Sequence, residues 1–304
     1  MIKSIEDIKK DLSDVGYYAD TNTAAAVAVM LFTGKPLLVE GDPGVGKTFL
    51  AEAVAKVLGK KLVRLQMYEG LTDDKILYDY DYQKQLLTLE AVKPHLEKEY
   101  ADSTTSEMIE AVAKRIDFYG EDFLVKRPIL RSIDGSAPVL LIDEIDKAPE
   151  EVEYMLYEFL ENYTITIPQY GEISCPEGCR PIVILTSNHY RELSDALKRR
   201  CNYLYITRKT AEDIMQILMA SAQADKELAN SVATFAVELA DIGNIHKLPS
   251  LSELIEWTRF MKETGITDDS MSLSMLVKDH RDIDAFRTNL SFMHVKDEIQ
   301  EEYI

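Results

Sequence analysis

Three cysteines in 304 residues are too few, and odd in number, for a disulfide framework. Two of them, Cys175 and Cys179, bracket CPEGC. Zinc at such a pair needs two further Cys or His ligands close by, and His189 is merely the nearest. The pair is read as a reduced hairpin tip. The five histidines, at 95, 189, 246, 280 and 294, form no H-E-x-x-H motif. No apolar run approaches 18 residues, so no membrane span is expected. The opening MIKSIEDIKKDLSDVGYY has no apolar centre of the kind a secretory signal needs; Ile2, Ile5, Ile8 and Leu12 recur instead at helical spacing. Positive charge is scarce: 34 Lys and Arg against 53 Asp and Glu give a net charge of −19 and a pI near 4.7. No run of five basic residues offsets this locally. Repulsion from a polyanion disfavours nucleic acid and anionic membranes as partners. A soluble, cytoplasmic protein is expected.

What is present is concentrated at Gly41–Thr48. GDPGVGKT matches G-x-x-x-x-G-K-[ST] at every fixed position. PLLVE precedes it as a short apolar strand, and FLAEAVAKVL follows with helical periodicity. Strand, glycine loop and helix N-terminus together make an anion cradle. Gly41, Asp42, Pro43, Gly44, Val45, Gly46, Lys47, Thr48 and Phe49 are therefore the candidate nucleotide-binding residues. Lys47 is expected at the β- and γ-phosphates and Thr48 at Mg²⁺.

Around the loop, apolar strands alternate with helical stretches. Two helices are expected in residues 1–35, with Asp20, Thr21 or Thr23 as the cap of the second. Strands are expected at PLLVE, KKLVRLQ, APVLLIDEID, PIVILTSN and YLYI, and YTITIP is expected to pair with the segment after Gly171. This pattern implies a parallel sheet covered on both faces. Pro149 suits the first position of the helix PEEVEYMLYEFLEN. Residues 67–127 are longer than a simple crossover requires, with helical stretches at 87–100 and 106–118. The tyrosines of LYDYDYQ are read as packing residues with wet hydroxyls. From Thr210 the pattern is wholly helical.

VLLIDEID ends a buried strand in two carboxylates. Beside a phosphate loop, Asp143 is expected near Mg²⁺ and Glu144 at the water attacking the γ-phosphate. Asn188 ends LTSN, where it either helps hold that water or caps the next helix. RELSDALKRRC supplies Arg199 and Arg200, either of which can project into a neighbouring subunit's site.

The combination resembles the MoxR branch of the AAA+ ATPases. The pieces that carry the likeness are GKPLLVEGDPGVGKT, RLQMYEGL, LLIDEIDKA, the strand pair around TITIPQYGEI, and IVILTSNHYRELSDALKRRC. YEGL with RELSDALKRRC looks most like the CoxD-like subgroup. The resemblance implies an α/β P-loop NTPase fold with a five-stranded parallel sheet, flanking helices and a smaller all-helical lid. The implied domains are 1–208, with an insertion at about 67–127 and a hairpin at about 163–180, then a lid at 209–265 and an acidic helical extension at 266–304. It implies catalytic roles for Lys47, Glu144, Asn188 as sensor 1 and Arg200 as the finger, with Arg199 second. Thr48 and Asp143 would hold Mg²⁺, and Gln66 would hold Glu144 off until a partner binds. ATP and ADP are the implied cofactors. A homo-oligomeric ring, hexameric, a protein client and a von Willebrand factor A domain protein are the implied partners. One departure is clear: the lid segment HKLPSLSEL has no arginine for sensor 2, and Lys247 is its only nearby cation. Two rival readings are a nucleotide-gated module with little turnover and a DNA-acting motor. A GTPase is disfavoured because no N-K-x-D motif occurs.

Overall fold

A computed structural model describes residues 4–99, 104–243, 245–265 and 272–289. Five strands form the main sheet: β1 (Leu37–Gly41), β2 (Leu62–Gln66), β5 (Val139–Asp143), β8 (Ile182–Ser187) and β9 (Asn202–Ile206), in the order β2-β5-β8-β1-β9. β2 pairs with β5, and β5 with β8, in parallel. Burial follows this order. β1 and β5 are buried at every residue and β8 at all but its first. β2 and β9 alternate between buried and exposed. A strand covered on both faces needs a continuous apolar run, and an edge strand does not. The expected α/β fold with a five-stranded sheet is what the chain adopts.

The chain divides into two compact units. One comprises Thr33–Leu38 and Gly59–Asn202. Its core joins Leu140, Ile142, Val183 and Leu185 to Leu156, Phe159 and Leu160 of the helix Glu150–Asn162. Pro149 is the N-cap of that helix rather than its first residue, a shift of one position. β6 (Thr164–Ile167) pairs antiparallel with β7 (Gly171–Ser174) as expected. The segment after β2 adds an unforeseen antiparallel pair, β3 (Tyr78–Tyr80) and β4 (Leu124–Lys126). Three residues are too short for periodicity to reveal. The helices Tyr82–Glu99 and Thr105–Arg115 lie between them in sequence. Two of the three tyrosines pack as expected: Tyr80 meets Tyr78 and Tyr119 edge-on at 5.9 and 5.2 Å, whereas Tyr82 is exposed.

The other unit comprises Met1–Phe32, Val39–Leu58 and Tyr203–Ile304. The helices Ile5–Asp14 and Thr21–Thr33 open it. Asp20 resolves the cap of the second, accepting from Thr23 N at 2.6 Å. The helices Ala211–Ser221, Lys226–Asp241 and Leu251–Thr264 surround a core centred on Trp257, Phe235 and Phe286, each 0% exposed. Trp257 Nε1 donates to Ser272 Oγ at 2.7 Å. Trp257→Ala is expected to lower the stability of this unit by about 3–5 kcal/mol, through lost burial and the cavity left behind. Denaturant unfolding followed by circular dichroism checks this; an unchanged midpoint would place the core elsewhere. Most of the expected extension 266–304, namely 266–271 and 290–304, lies outside the described residues.

Candidate functional site

The phosphate loop links β1 to the helix Lys47–Val57. Gly41 is obligatory on steric grounds alone. A Cβ there would collide with the Ile206 carbonyl oxygen, and the backbone sits at φ +154. Gly46 is the helix N-cap at φ +98, a left-handed conformation that L side chains resist. Lys47 is buried, and its Nζ donates to the carbonyls of Gly41 and Asp42 at 2.7 and 2.8 Å. The ammonium is thus held within the loop it belongs to. Thr48 is half-buried in the first turn, and Phe49 keeps an exposed ring. Arg208, which sequence reasoning missed, pairs with Asp42 at 2.8 Å. No local motif marks it, because Arg208 follows β9 and is brought to the loop only by the order of strands in the sheet. The segment before the helix Leu251–Thr264 also reaches the loop: a Cβ on Gly44 would lie 3.2 Å from Ser250 Cβ. Ser250 caps the helix Leu251–Thr264. Lys247 is exposed, and its backbone N–H donates to Asp282.

In the other unit, β5 presents its two acids. Asp143 is buried, and its carboxylate accepts from Thr186 Oγ1 and pairs with Arg64 Nη2, each at 2.5 Å. Glu144 has a left-handed backbone, φ +58. Such a conformation costs a non-glycine residue about 1–3 kcal/mol and clusters at functional positions. The Glu144 N–H donates to Thr186 Oγ1 at 2.9 Å, so one hydroxyl serves both acids. Both carboxylate oxygens of Glu144 are engaged. Oε1 accepts from Asn188 Nδ2 at 3.1 Å. Oε2 accepts from Gln66 Nε2 and from Lys147 Nζ, both at 2.8 Å. The Glu144 carboxylate in turn raises the Lys147 pKa, chiefly through this hydrogen bond.

Gln66 meets Glu144, the contact that the family resemblance implies, and so does Asn188; the structure adds Lys147 at Glu144, Arg64 at Asp143, and Thr186 at both acids. Arg64 and Gln66 are alternate residues of β2, so they share one face. Only the register of β2 on β5, Gln66 opposite Asp143, reveals that this face meets the acids. Asn188 does not cap the next helix; Ser194 does. Buried Asp146 accepts from the N–H groups of Asn188 and Tyr190 at 2.9 and 2.7 Å, fixing the loop after β8.

Arg200 is half-buried at the end of the helix Asp195–Arg200. Its Nη2 meets Glu161 at 3.0 Å, its Nη1 donates to the Ala196 carbonyl, and its guanidinium lies 4.7 Å from the Tyr157 ring centre. Arg199 is exposed and forms no ion pair among the described residues. All three cysteines are free. Burial pushes the Cys201 thiol up to about 12 and raises that of Cys175, which disfavours the thiolates that metals bind. Among the described residues no cluster of three or more His, Cys, Asp or Glu stands ready for a metal ion. No helix among them is long and apolar enough to cross a membrane.

The model of the AAA domain (dynein-related subfamily) matches residues 36–201, which run from the first residue before β1 to the last before β9. The chain belongs to this family. Midasin of Dictyostelium discoideum is 29% identical over 157 residues, 50% of this AAA protein and 2% of midasin. The uncharacterized protein YehL of Escherichia coli (strain K12) is 27% identical over 255 residues, 80% of the chain and 58% of YehL. The chain thus spans less than two thirds of the length of these curated relatives. The structure of a Thermotoga maritima RuvB point mutant aligns with a TM-score of 0.45 at 15% identity, covering 95% of this chain and 70% of that one. Membership in the AAA family makes a nucleotide the ligand class of the phosphate loop.

Proposed function

We propose that this AAA domain hydrolyses ATP with Mg²⁺, assembles as a ring of six copies, and uses hydrolysis to remodel or mature a client protein complex. This is the role implied by its resemblance to the MoxR branch and its CoxD-like subgroup, where a von Willebrand factor A domain protein is the expected partner. In this reading residues 1–208 form the nucleotide-binding domain, 209–265 the lid and 266–304 an extension. The observation that carries the reading is the complete phosphate loop, with the Lys47 ammonium buried inside it. Lys47 binds the β- and γ-phosphate oxygens and balances their charge. Glu144 accepts the proton of the attacking water, Asn188 helps orient that water, and Arg200 serves the site of the neighbouring copy.

The donor set fits Mg²⁺, since a Thr48 hydroxyl and an Asp143 carboxylate are the hard oxygen ligands it takes. Bound there, the ion would neutralise charge on the phosphate oxygens.

Gln66, Lys147 and Asn188 take three of the roughly four lone-pair sites of the Glu144 carboxylate, which makes it a weaker base toward a water molecule. This supports a low resting rate that a partner or neighbouring copy relieves. It also favours, as second reading, a nucleotide-gated module with little turnover of its own. Gln66→Ala separates the two. Under the ATPase reading, losing one hydrogen bond to the charged acid raises basal turnover by roughly tenfold. Under the module reading, turnover stays near zero. Steady-state ATPase rate against protein concentration tests the reading as a whole. Specific activity that climbs with concentration supports sites completed between copies. No activity at any concentration, with nucleotide still bound, favours the module.

A further inference from the structure

The phosphate loop is built to hold anions, yet its second residue is an acid. Lys47 Nζ donates to the Asp42 carbonyl at 2.8 Å. The Asp42 carboxylate therefore lies within about one Debye length, roughly 8 Å at physiological salt, of the loop's own cation. Screening does not hide a charge at that range, and an uncompensated one would repel the phosphate oxygens that Lys47 attracts. Arg208 meets this charge. The end of β9 packs on the first glycine of the loop, where the Ile206 carbonyl fills the side-chain space of Gly41. Two residues further on, Arg208 Nε donates to Asp42 Oδ2 at 2.8 Å. The two side chains remain 54% and 45% exposed, so the pair stands in contact with solvent. Arg208 makes no other hydrogen bond among the described residues. Lys209, the next cation, is engaged elsewhere: its Nζ donates to the Tyr18 carbonyl at 3.3 Å.

We propose that Arg208 is the charge-compensating residue of the phosphate loop: its guanidinium cancels the Asp42 carboxylate and so lets the loop hold a polyphosphate chain at full strength. The proposal rests on the nucleotide reading above. An exposed ion pair adds little to folding stability, so stability alone does not account for the pair. What it changes is the field at the loop. With Arg208 in place, the two side-chain charges sum to zero, and the Lys47 ammonium, the loop amides and the helix N-terminus act unopposed. Without it, the loop carries one negative charge beside its positive one. A guanidinium suits the task because it stays charged at every working pH. Arg208 is thus a positioning residue that acts through Asp42.

Arg208→Gln keeps a polar side chain and removes the charge. Calorimetric titration of the full-length protein with ATP and Mg²⁺, and separately with inorganic tripolyphosphate, reads the effect. Affinity for both is expected to fall roughly tenfold, the cost of one uncompensated charge at this range. Asp42→Asn alone should tighten both several-fold, because Arg208 is then left as net positive charge beside the loop. The double variant should return to the parent's affinity, and about 0.5 M salt should shrink the loss of the single Arg208 variant. Unchanged affinity of Arg208→Gln overturns the proposal. A loss that persists in the double variant also overturns it, since Arg208 would then act on the ligand or the fold directly. So does a loss confined to ATP, which would place Arg208 at the nucleoside. The thermal midpoint of nucleotide-free Arg208→Gln should match the parent's; a lowered midpoint would make the pair structural and overturn the proposal. Parent protein that binds neither ligand overturns the nucleotide reading itself.

Discussion

Glu144→Gln is expected to bind ATP as tightly as the parent and to hydrolyse it about 10²- to 10⁴-fold more slowly, the usual share of a positioned general base. The substitution preserves shape. A glutamine carbonyl still accepts from Asn188, and the left-handed turn at residue 144 is unaffected by the amide. What disappears is the carboxylate charge, and with it both the ion pair to Lys147 and the capacity to take a proton from water. Single-turnover hydrolysis beside equilibrium ATP binding separates the two effects. The variant should also accumulate as an ATP-bound assembly, visible by light scattering. Normal turnover would remove Glu144 from the reaction.

Arg200→Ala should leave ATP binding intact and lower turnover about 10³-fold, the lower end of what a finger contributes. Arg200 is held by Glu161, Ala196 and the Tyr157 ring. An arginine already oriented in this way loses less freedom on engaging a phosphoryl group. The pair with Glu161 is surface-accessible and worth no more than about 1 kcal/mol, so release is not prohibitive. If the finger acts between copies, mixing Arg200→Ala with Glu144→Gln protein restores activity, because one variant supplies the acid and the other the arginine. A mixture as silent as its components would exclude action in trans. Loss of turnover on Arg199→Ala instead would move the finger one position, onto the exposed neighbour.

The phosphate loop and the acids differed in how far sequence exposed them. The phosphate loop is local: eight consecutive residues between a strand and a helix, each with its own role. Its geometry follows once that order is recognised. The five sheet strands were legible because burial on both faces forces apolar runs in β1, β5 and β8. Arg64, Thr186 and Lys147 were not legible as partners of the acids. Arg64 and Thr186 come from different strands and meet the acids only through strand register, which no single segment encodes; Lys147 lies three residues from Glu144, in a turn too short to carry a period. Arg208 was missed because it reaches the loop from a segment distant in sequence, beyond the end of β9. The β3–β4 pair escaped because three-residue strands carry no usable period. Pro149 was displaced by one residue because a proline fits both the cap and the first turn.

The clash built into Gly41 bears on how this chain can drift over evolutionary time. Its side-chain space is filled by the carbonyl of Ile206, so replacing it disrupts the packing of β1 against the end of β9 whether or not nucleotide is present. Selection for folding alone would keep this glycine. Glu144 has the opposite profile, since its strained backbone lets a glycine or asparagine settle there at no cost to the fold. A descendant that abandoned hydrolysis would therefore keep the first letter of the phosphate loop and lose the acid first. Under the proposed function, residue 144 rather than residue 41 is the position whose identity is expected to separate relatives that hydrolyse nucleotide from those that only bind it.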